Sequence, residues 1–215
     1  MRLRTCALSI FFLCSAIGLT PPASVSQGAT PAPTVSLEGL GKGTAALDVR
    51  WQFHVGDDLS WAEPQIKDAS GQGGWEAILP DRPWGAQGHY AYAGFAWYRL
   101  HLQIVPAPGV NSRFQLLLPQ VGDAYEVYWN GKPVGHYGSF PPHPSWPAQA
   151  VPAVFTLDGK PDGVLAIRVW KGPLGSSSSG YIGGLQATPI VGGSRIYWRP
   201  RCHMGLRLPA RHNVQ

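Results

Sequence analysis

The stretch AYEVYWNGKPVGHY, residues 124–137, sets the reading of this chain. Asn130-Gly131 separates two runs of alternating character. A two-residue type I′ hairpin turn needs positive φ at both central positions, which Asn and Gly tolerate better than other residues. Alternation along the first run places Tyr125, Val127 and Trp129 on one face, with Glu126 and Tyr128 on the other. The returning run brings Val134 back beside the first strand. The stretch is therefore a β-hairpin with an apolar side and a polar side, built for a sheet that covers a core on one face only.

The same pattern extends outward in both directions. In FAWYRLHLQIV (95–105), Tyr98, Leu100, Leu102 and Ile104 share one face, and Trp97, Arg99, His101 and Gln103 the other. ALDVRWQFHV, RFQLLLP, PAVFTL, VLAIRVW and YIGGLQATPIV continue the series, separated by PAPG, NGK, DGKPDG and KGPLGSSSSG. Short strands at 8–12-residue spacing with turn residues between them indicate a sandwich or barrel. No segment shows capped 3.6-residue periodicity beyond a short helical turn near Trp61–Pro64. The absence of crossover helices opposes a parallel α/β fold, and the expected class is an all-β antiparallel β-sandwich.

Composition agrees. The chain has 27 Gly and 21 Pro but only 13% charged residues, and it carries nine Trp and eight Tyr. Its formal charge of +5 comes from its ends. Arg2 and Arg4 open the chain, and Arg195, Arg199, Arg201, Arg207 and Arg211 lie near its close. The middle is slightly acidic, which argues against a nucleic-acid partner. Residues 1–26 combine an arginine-bearing start, an apolar run from Cys6 to about Leu19 and small residues, as in a secretory signal peptide cleaved after Ser26. An uncleaved signal anchor is the alternative. Cleavage would leave Cys202 as the single cysteine, so no internal disulfide is expected. Residues 27–45 read as a Pro/Gly/Ser/Thr-rich linker, 46–191 as the folded domain, and 192–215 as an atypical basic tail, consistent with truncation or a shifted reading frame.

Several motifs in order resemble the amino-terminal sugar-binding domain of family 2 glycoside hydrolases. Trp97-Tyr98-Arg99 matches its aromatic-Tyr-Arg strand. Val127, Tyr128, Asn130, Gly131, Val134 and Gly135 match its hairpin, and Leu165, Ile167, Arg168 and Val169 match its closing strand. Asp68, Ser70, Trp75, Leu79, Pro80 and Trp84 match the segment upstream. The resemblance covers about 49–190 and implies a galactose-binding-like jelly roll. The Trp-rich form, with WAEP and YGSFPPHPSWP, is similar to a bacterial variant that serves as the extracytoplasmic input domain of membrane signalling proteins with a kinase, diguanylate cyclase or phosphatase output. In that reading the chain meets a membrane only through a missing downstream segment.

The residues themselves give little support to catalysis. Glycosidases need two carboxylates flanking one bond, and in family 2 these belong to a separate barrel. The aspartates here sit mostly in turns, and Asp123 and Glu126 fall on opposite faces of a strand. No Gly-x-Ser-x-Gly elbow and no His/Cys cluster occurs, so neither a serine triad nor a metal site is expected. No cofactor is expected; a structural calcium held by loop aspartates is conceivable but unsupported. Carbohydrate recognition needs an apolar ring face beside polar groups, and two loops offer both. The candidate ligand-binding residues are Trp84, His136, Tyr137, His143 and Trp146. Arg99 and Arg168 lie on outward faces and are expected to pair with Glu126 across strands. The expectation is a secreted or periplasmic, non-catalytic module that binds a carbohydrate or other small ligand, a truncated sensory input domain. The alternatives are a detached family 2 glycosidase module or a protein-interaction module.

Overall fold

A computed structural model describes residues 32–41, 43–110, 113–145, 151–158, 160–173 and 183–193. The expected leader, the GSSSSG run, Trp146 and the tail from 194 onward lie outside these residues. The strands are β1 (Thr34–Leu40), β2 (Thr44–Ala46), β3 (Trp51–Val55), β4 (Glu76–Ile78), β5 (Gly94–Pro106), β6 (Phe114–Leu118), β7 (Val121–Gly122), β8 (Ala124–Trp129), β9 (Lys132–Tyr137), β10 (Ala153–Leu157), β11 (Gly163–Lys171), β12 (Gly184–Leu185) and β13 (Ile190–Gly193). Short 3-10 turns occur at Leu59–Ala62 and Trp84–Gln87. One sheet runs β4-β3-β5-β11-β8-β9, with β1 beside β5; the other runs β10-β6-β13-β2, and β7 and β12 form a small ladder. The expected all-β sandwich is the observed one, antiparallel except for the β1–β5 pair.

Long β5 organises the larger sheet. Its register pairs Ala96–Arg99 with β3, Gly94–Leu102 with β11 and His101–Pro106 with β1. Tyr98, Leu100, Leu102 and Ile104 point inward with Phe53, Leu165, Ile167 and Val169. They meet Phe114, Leu116, Leu118, Phe155 and Val191 of the smaller sheet. The period-2 pattern read from the sequence is thus the pattern of the core.

The linker expected over residues 27–45 needs correction. Its latter part forms β1 and β2. Leu37 and Leu40 are buried against the core, and β2 pairs with β13. The glycines and prolines nearby obscure an alternating Val35/Leu37 pattern. The domain also continues to Gly193, two residues past the expected boundary.

The outward face of the larger sheet is not bare. Residues 56–75 form a strap across it, and a second small core forms beneath, with Ala62, Trp75, Trp97 and Ala166 buried and Trp61, Ile66 and Tyr128 packed against them. The strap is held by charge. Arg99 is fully buried, and its Nε donates to Asp68 Oδ2 at 2.7 Å. Its Nη1 donates to the carbonyls of Trp61 and Glu63. His101 Nε2 lies 3.0 Å from both Asp68 oxygens, and the Ser70 hydroxyl donates to Gln52 Oε1 at 2.6 Å. Arg99 therefore pairs with Asp68, not with Glu126. Burial raises the Asp68 carboxyl pKa, but hydrogen bonds and charge from His101 and Arg99 outweigh it, and the net position lies below the ordinary value.

The hairpin forms as the Asn-Gly pair requires, with φ of 52° at Asn130 and 78° at Gly131. Asn130 does more than turn the chain. Its Oδ1 accepts the Val164 N–H at 2.9 Å and its Nδ2 donates to the Asp162 carbonyl at 3.2 Å, stitching the turn to the start of β11. A β-bulge then shifts the register. Trp129 faces Lys132 and Tyr128 faces Pro133, but Val127 faces Gly135 and Glu126 faces His136. One extra residue on β9 reverses which side its later residues face. Gly135 thereby turns inward, where a side chain would meet the Phe155 ring at 2.5 Å.

Removing Arg99 leaves a buried carboxylate with a diminished partner set. Arg99→Ala is expected to cost about 3–5 kcal/mol in urea unfolding. A carboxyl whose folded pKa lies below its unfolded one contributes stability that is full above the unfolded value and drains away as pH falls through the folded value. The stability gap between wild type and Asp68→Asn should therefore be widest at neutral pH and close on acidification from about pH 4 downward; a gap independent of pH would contradict this. At the turn, Asn130→Gly keeps the positive φ and loses the side-chain bonds, at about 1–2 kcal/mol. Asn130→Ala adds backbone strain, for a total of about 2–4 kcal/mol. Equal costs for the two would show that the turn is not strained.

Candidate functional site

The bulge determines what meets at the far end of the hairpin. With the register shifted, Glu126 and His136 are direct cross-strand neighbours on the outward face. Beyond β9 the chain folds back on itself through an isolated bridge between Ser139 and Ser145. Ser139 Oγ donates to the His143 carbonyl at 2.7 Å, and Gly138 (φ 71°) passes where a Cβ would strike the Ser145 carbonyl at 2.3 Å. This small loop sets Phe140 beside the sheet. Tyr125, Glu126, His136, Gly138, Ser139 and Phe140 enclose a cleft of about 270 Å³.

Its electrostatics are set by Arg168 on β11, directly opposite Glu126 in the sheet. Arg168 Nη1 donates to Glu126 Oε2 at 3.1 Å, and Nε and Nη2 donate to Asp57 of the strap at 2.7 and 2.5 Å. The guanidinium carbon lies 4.4 Å from the Phe95 ring centre and 4.6 Å from that of Phe140, so both rings contact the cation. Burial opposes its charge, but Asp57 and Glu126 prevail and hold the guanidinium pKa above its ordinary value. The expected Arg168–Glu126 pair is present, with Asp57 as an unforeseen third member. Tyr128 donates to Glu126 Oε2 at 2.6 Å; burial, then the Glu126 hydrogen bond and charge, push its phenol up to about 12. Glu126 is therefore fixed in place by a cation and a phenol. The buried Tyr125 hydroxyl, on the cleft's inner side, has no hydrogen-bond partner.

The five residues expected to bind a ligand are dispersed. His136 lines the cleft. Tyr137 lies next to it in sequence but on the opposite side of β9, half-buried and stacked on Tyr125 with ring centres 5.5 Å apart. His143 is exposed on the small loop and is not among the cleft-lining residues. Trp84 is a correction. It is fully buried in the main core against Phe53, Tyr92 and Tyr98, because the 3-10 turn after Pro83 drives the indole inward. Trp146 lies outside the described residues. Glu126, Ser139 and Phe140 were not foreseen as site residues. Glu126 and His136 could have been joined only by anticipating the bulge.

Among the described residues, no group of three or more His, Cys, Asp or Glu side chains converges to hold a metal ion. No helix among them is long and apolar enough to cross a membrane.

No protein-family model matches the chain, and no curated protein matches it. Solved structures do. A β-glucuronidase 2 from Bacteroides uniformis superposes with a TM-score of 0.53 at 21% identity over 69% of this chain and 17% of its own. A family 2 glycosyl hydrolase from Bacteroides cellulosilyticus gives 0.51 at 14% identity, covering 69% and 20%. A β-glycosidase from Bacteroides vulgatus gives 0.51 at 18% identity, with the same coverages. This chain thus spans a fifth or less of the length of these proteins. At such identities the likeness establishes the fold alone: the sandwich seen here is also a small part of family 2 glycosidases.

Proposed function

We propose that this chain is a non-catalytic carbohydrate-recognition module of the kind that accompanies family 2 glycosidases. The cleft at the end of the β8–β9 hairpin carries the reading. Its polar groups suit a polyhydroxylated ligand: the fixed Glu126 carboxylate accepts hydroxyl hydrogens, and His136 and Ser139 donate or accept. Phe140 offers an apolar edge, and the unpartnered Tyr125 hydroxyl lies at the inner wall. At about 270 Å³ the cleft falls just below the roughly 300–1,000 Å³ of typical small-molecule sites, a size suited to one sugar ring.

Two further points bear on the proposal. Glycoside hydrolysis ordinarily uses paired carboxylates, and Glu126 is the one carboxylate among the cleft's lining residues, already engaged by Arg168 and Tyr128. The structural neighbours favour the glycosidase side of the resemblance; the membrane-signalling form finds no support among them. The signal-peptide pattern of residues 1–26 supports placement outside the cytoplasm.

Calorimetric titration with methyl β-D-glucopyranoside and methyl β-D-galactopyranoside tests the reading. One of them is expected to bind with a dissociation constant of about 1 mM, roughly −4 kcal/mol. His136→Ala should weaken that binding about tenfold, about 1.4 kcal/mol, with an unchanged melting temperature. Aryl glycosides should not be hydrolysed. Absence of binding by any glycoside, or binding indifferent to His136, would overturn the proposal.

A further inference from the structure

The cleft at the end of the β8–β9 hairpin holds a charge that carbohydrate binding as such does not use. Its one acidic lining residue is Glu126, which pairs with Arg168, and Arg168 pairs in turn with Asp57. Two carboxylates against one guanidinium leave one negative charge. Among the described residues, no other Lys or Arg pairs with a residue that lines the cleft. We propose that this cleft prefers sugars that carry a protonated primary amine over neutral ones. The inference rests on the carbohydrate reading for the body of the ligand and adds the group that decides between ligands.

The surplus charge lies where a ligand meets it. The Arg168 side chain is 13% exposed and lies against the Phe95 and Phe140 rings, whereas that of Glu126 is 31% exposed. Arg168 Nη1 and the Tyr128 hydroxyl both donate to Glu126 Oε2, which leaves Oε1 with no donor among the described residues. The carboxylate is thus held by one oxygen and offers the other. Ser139 gives its hydroxyl hydrogen to the His143 carbonyl, so toward a ligand its oxygen only accepts. His136, opposite Glu126 in the register, makes no hydrogen bond or ion pair among the described residues. A neutral imidazole supplies one donor and one acceptor. The Tyr125 hydroxyl, on a residue 2% exposed, is unpartnered at the inner wall. Acceptors therefore outnumber donors around a net negative charge. A neutral sugar hydroxyl meets one acceptor and leaves the charge unbalanced. An anion meets like charge. A bare metal ion finds no group of three His, Cys, Asp or Glu among the described residues to hold it. An ammonium brings three donors and the compensating charge, and its hydrogen bond to a carboxylate is about twice as strong as a neutral one. An amino sugar places that group beside Glu126 Oε1 and leaves its ring to Phe140 and His136.

Calorimetric titration of the full chain at about pH 7 compares methyl β-D-glucosaminide with its N-acetylated form, with methyl β-D-glucopyranoside and with ethanolamine. The free-amine glycoside is expected to bind about tenfold more tightly than the neutral glucoside. N-acetylation should abolish that advantage, as should titration at about pH 9.5, where an amine of ordinary pKa near 8 is neutral. Added salt should shrink it, since partly exposed charges are screened. Glu126→Gln removes the charge and keeps the side chain's size. Whatever it does to either affinity alone, the ratio between the amino and neutral glycosides should fall to about one. Equal affinities at neutral pH, an advantage that survives at high pH or in Glu126→Gln, or ethanolamine binding as tightly as the amino glycoside overturns the inference. If neutral glycosides still bind through His136 in any of these cases, the proposed function stands without it. If no glycoside binds, both fall.

Discussion

The buried Arg99–Asp68 ion pair is the contact on which the outer half of this molecule depends. A sandwich strand ordinarily shows one face to the core and one to water. Here the middle of β5, residues 96–100, buries both, because Arg99 reaches outward and gathers a carboxylate and two strap carbonyls around itself. A buried ion pair adds little net stability compared with apolar packing. What it supplies is position. It fixes residues 56–75 against the sheet, and the first half of the strap then presents Asp57 and, six residues on, Glu63.

From that placement the charges around the β8–β9 hairpin follow. Asp57 Oδ1 accepts from Arg168 Nε and, at a long 3.4 Å, from the Trp97 indole N–H, and Arg168 in turn holds Glu126. Glu63 closes the side of the hairpin tip. The cleft at Glu126 thus reaches a strap residue through one intermediary, and the hairpin tip at Gly131 meets one directly. The hairpin contributes a bulge at one end and a stitched turn at the other.

Much of this was legible in the chain itself. Alternation gave the strands, their inward faces and the Asn-Gly turn, because side-chain period and turn φ are local properties. The matched motif residues Asp68, Ser70, Trp75, Trp84 and Arg99 proved to be fasteners of the fold rather than ligand groups. That explains why the resemblance speaks to the architecture. What stayed hidden was non-local. The β1 strand is defined by its partner β5, not by its own Gly-rich composition. The bulge that puts His136 beside Glu126, and Tyr137 on the opposite side, has no strong sequence mark. Trp84 read as a loop aromatic because nothing in DRPWGAQGHY shows that the turn after Pro83 aims the indole inward.

Amide hydrogen exchange on Asp68→Asn at neutral pH tests the central claim most directly. If the ion pair pins the strap, residues 57–75 should exchange much faster than in wild type. Exchange should also rise at Glu126 and Tyr128, while β6 and the inner part of β5 keep their protection. Unchanged protection across 57–75, or a uniform loss across both sheets, would contradict it.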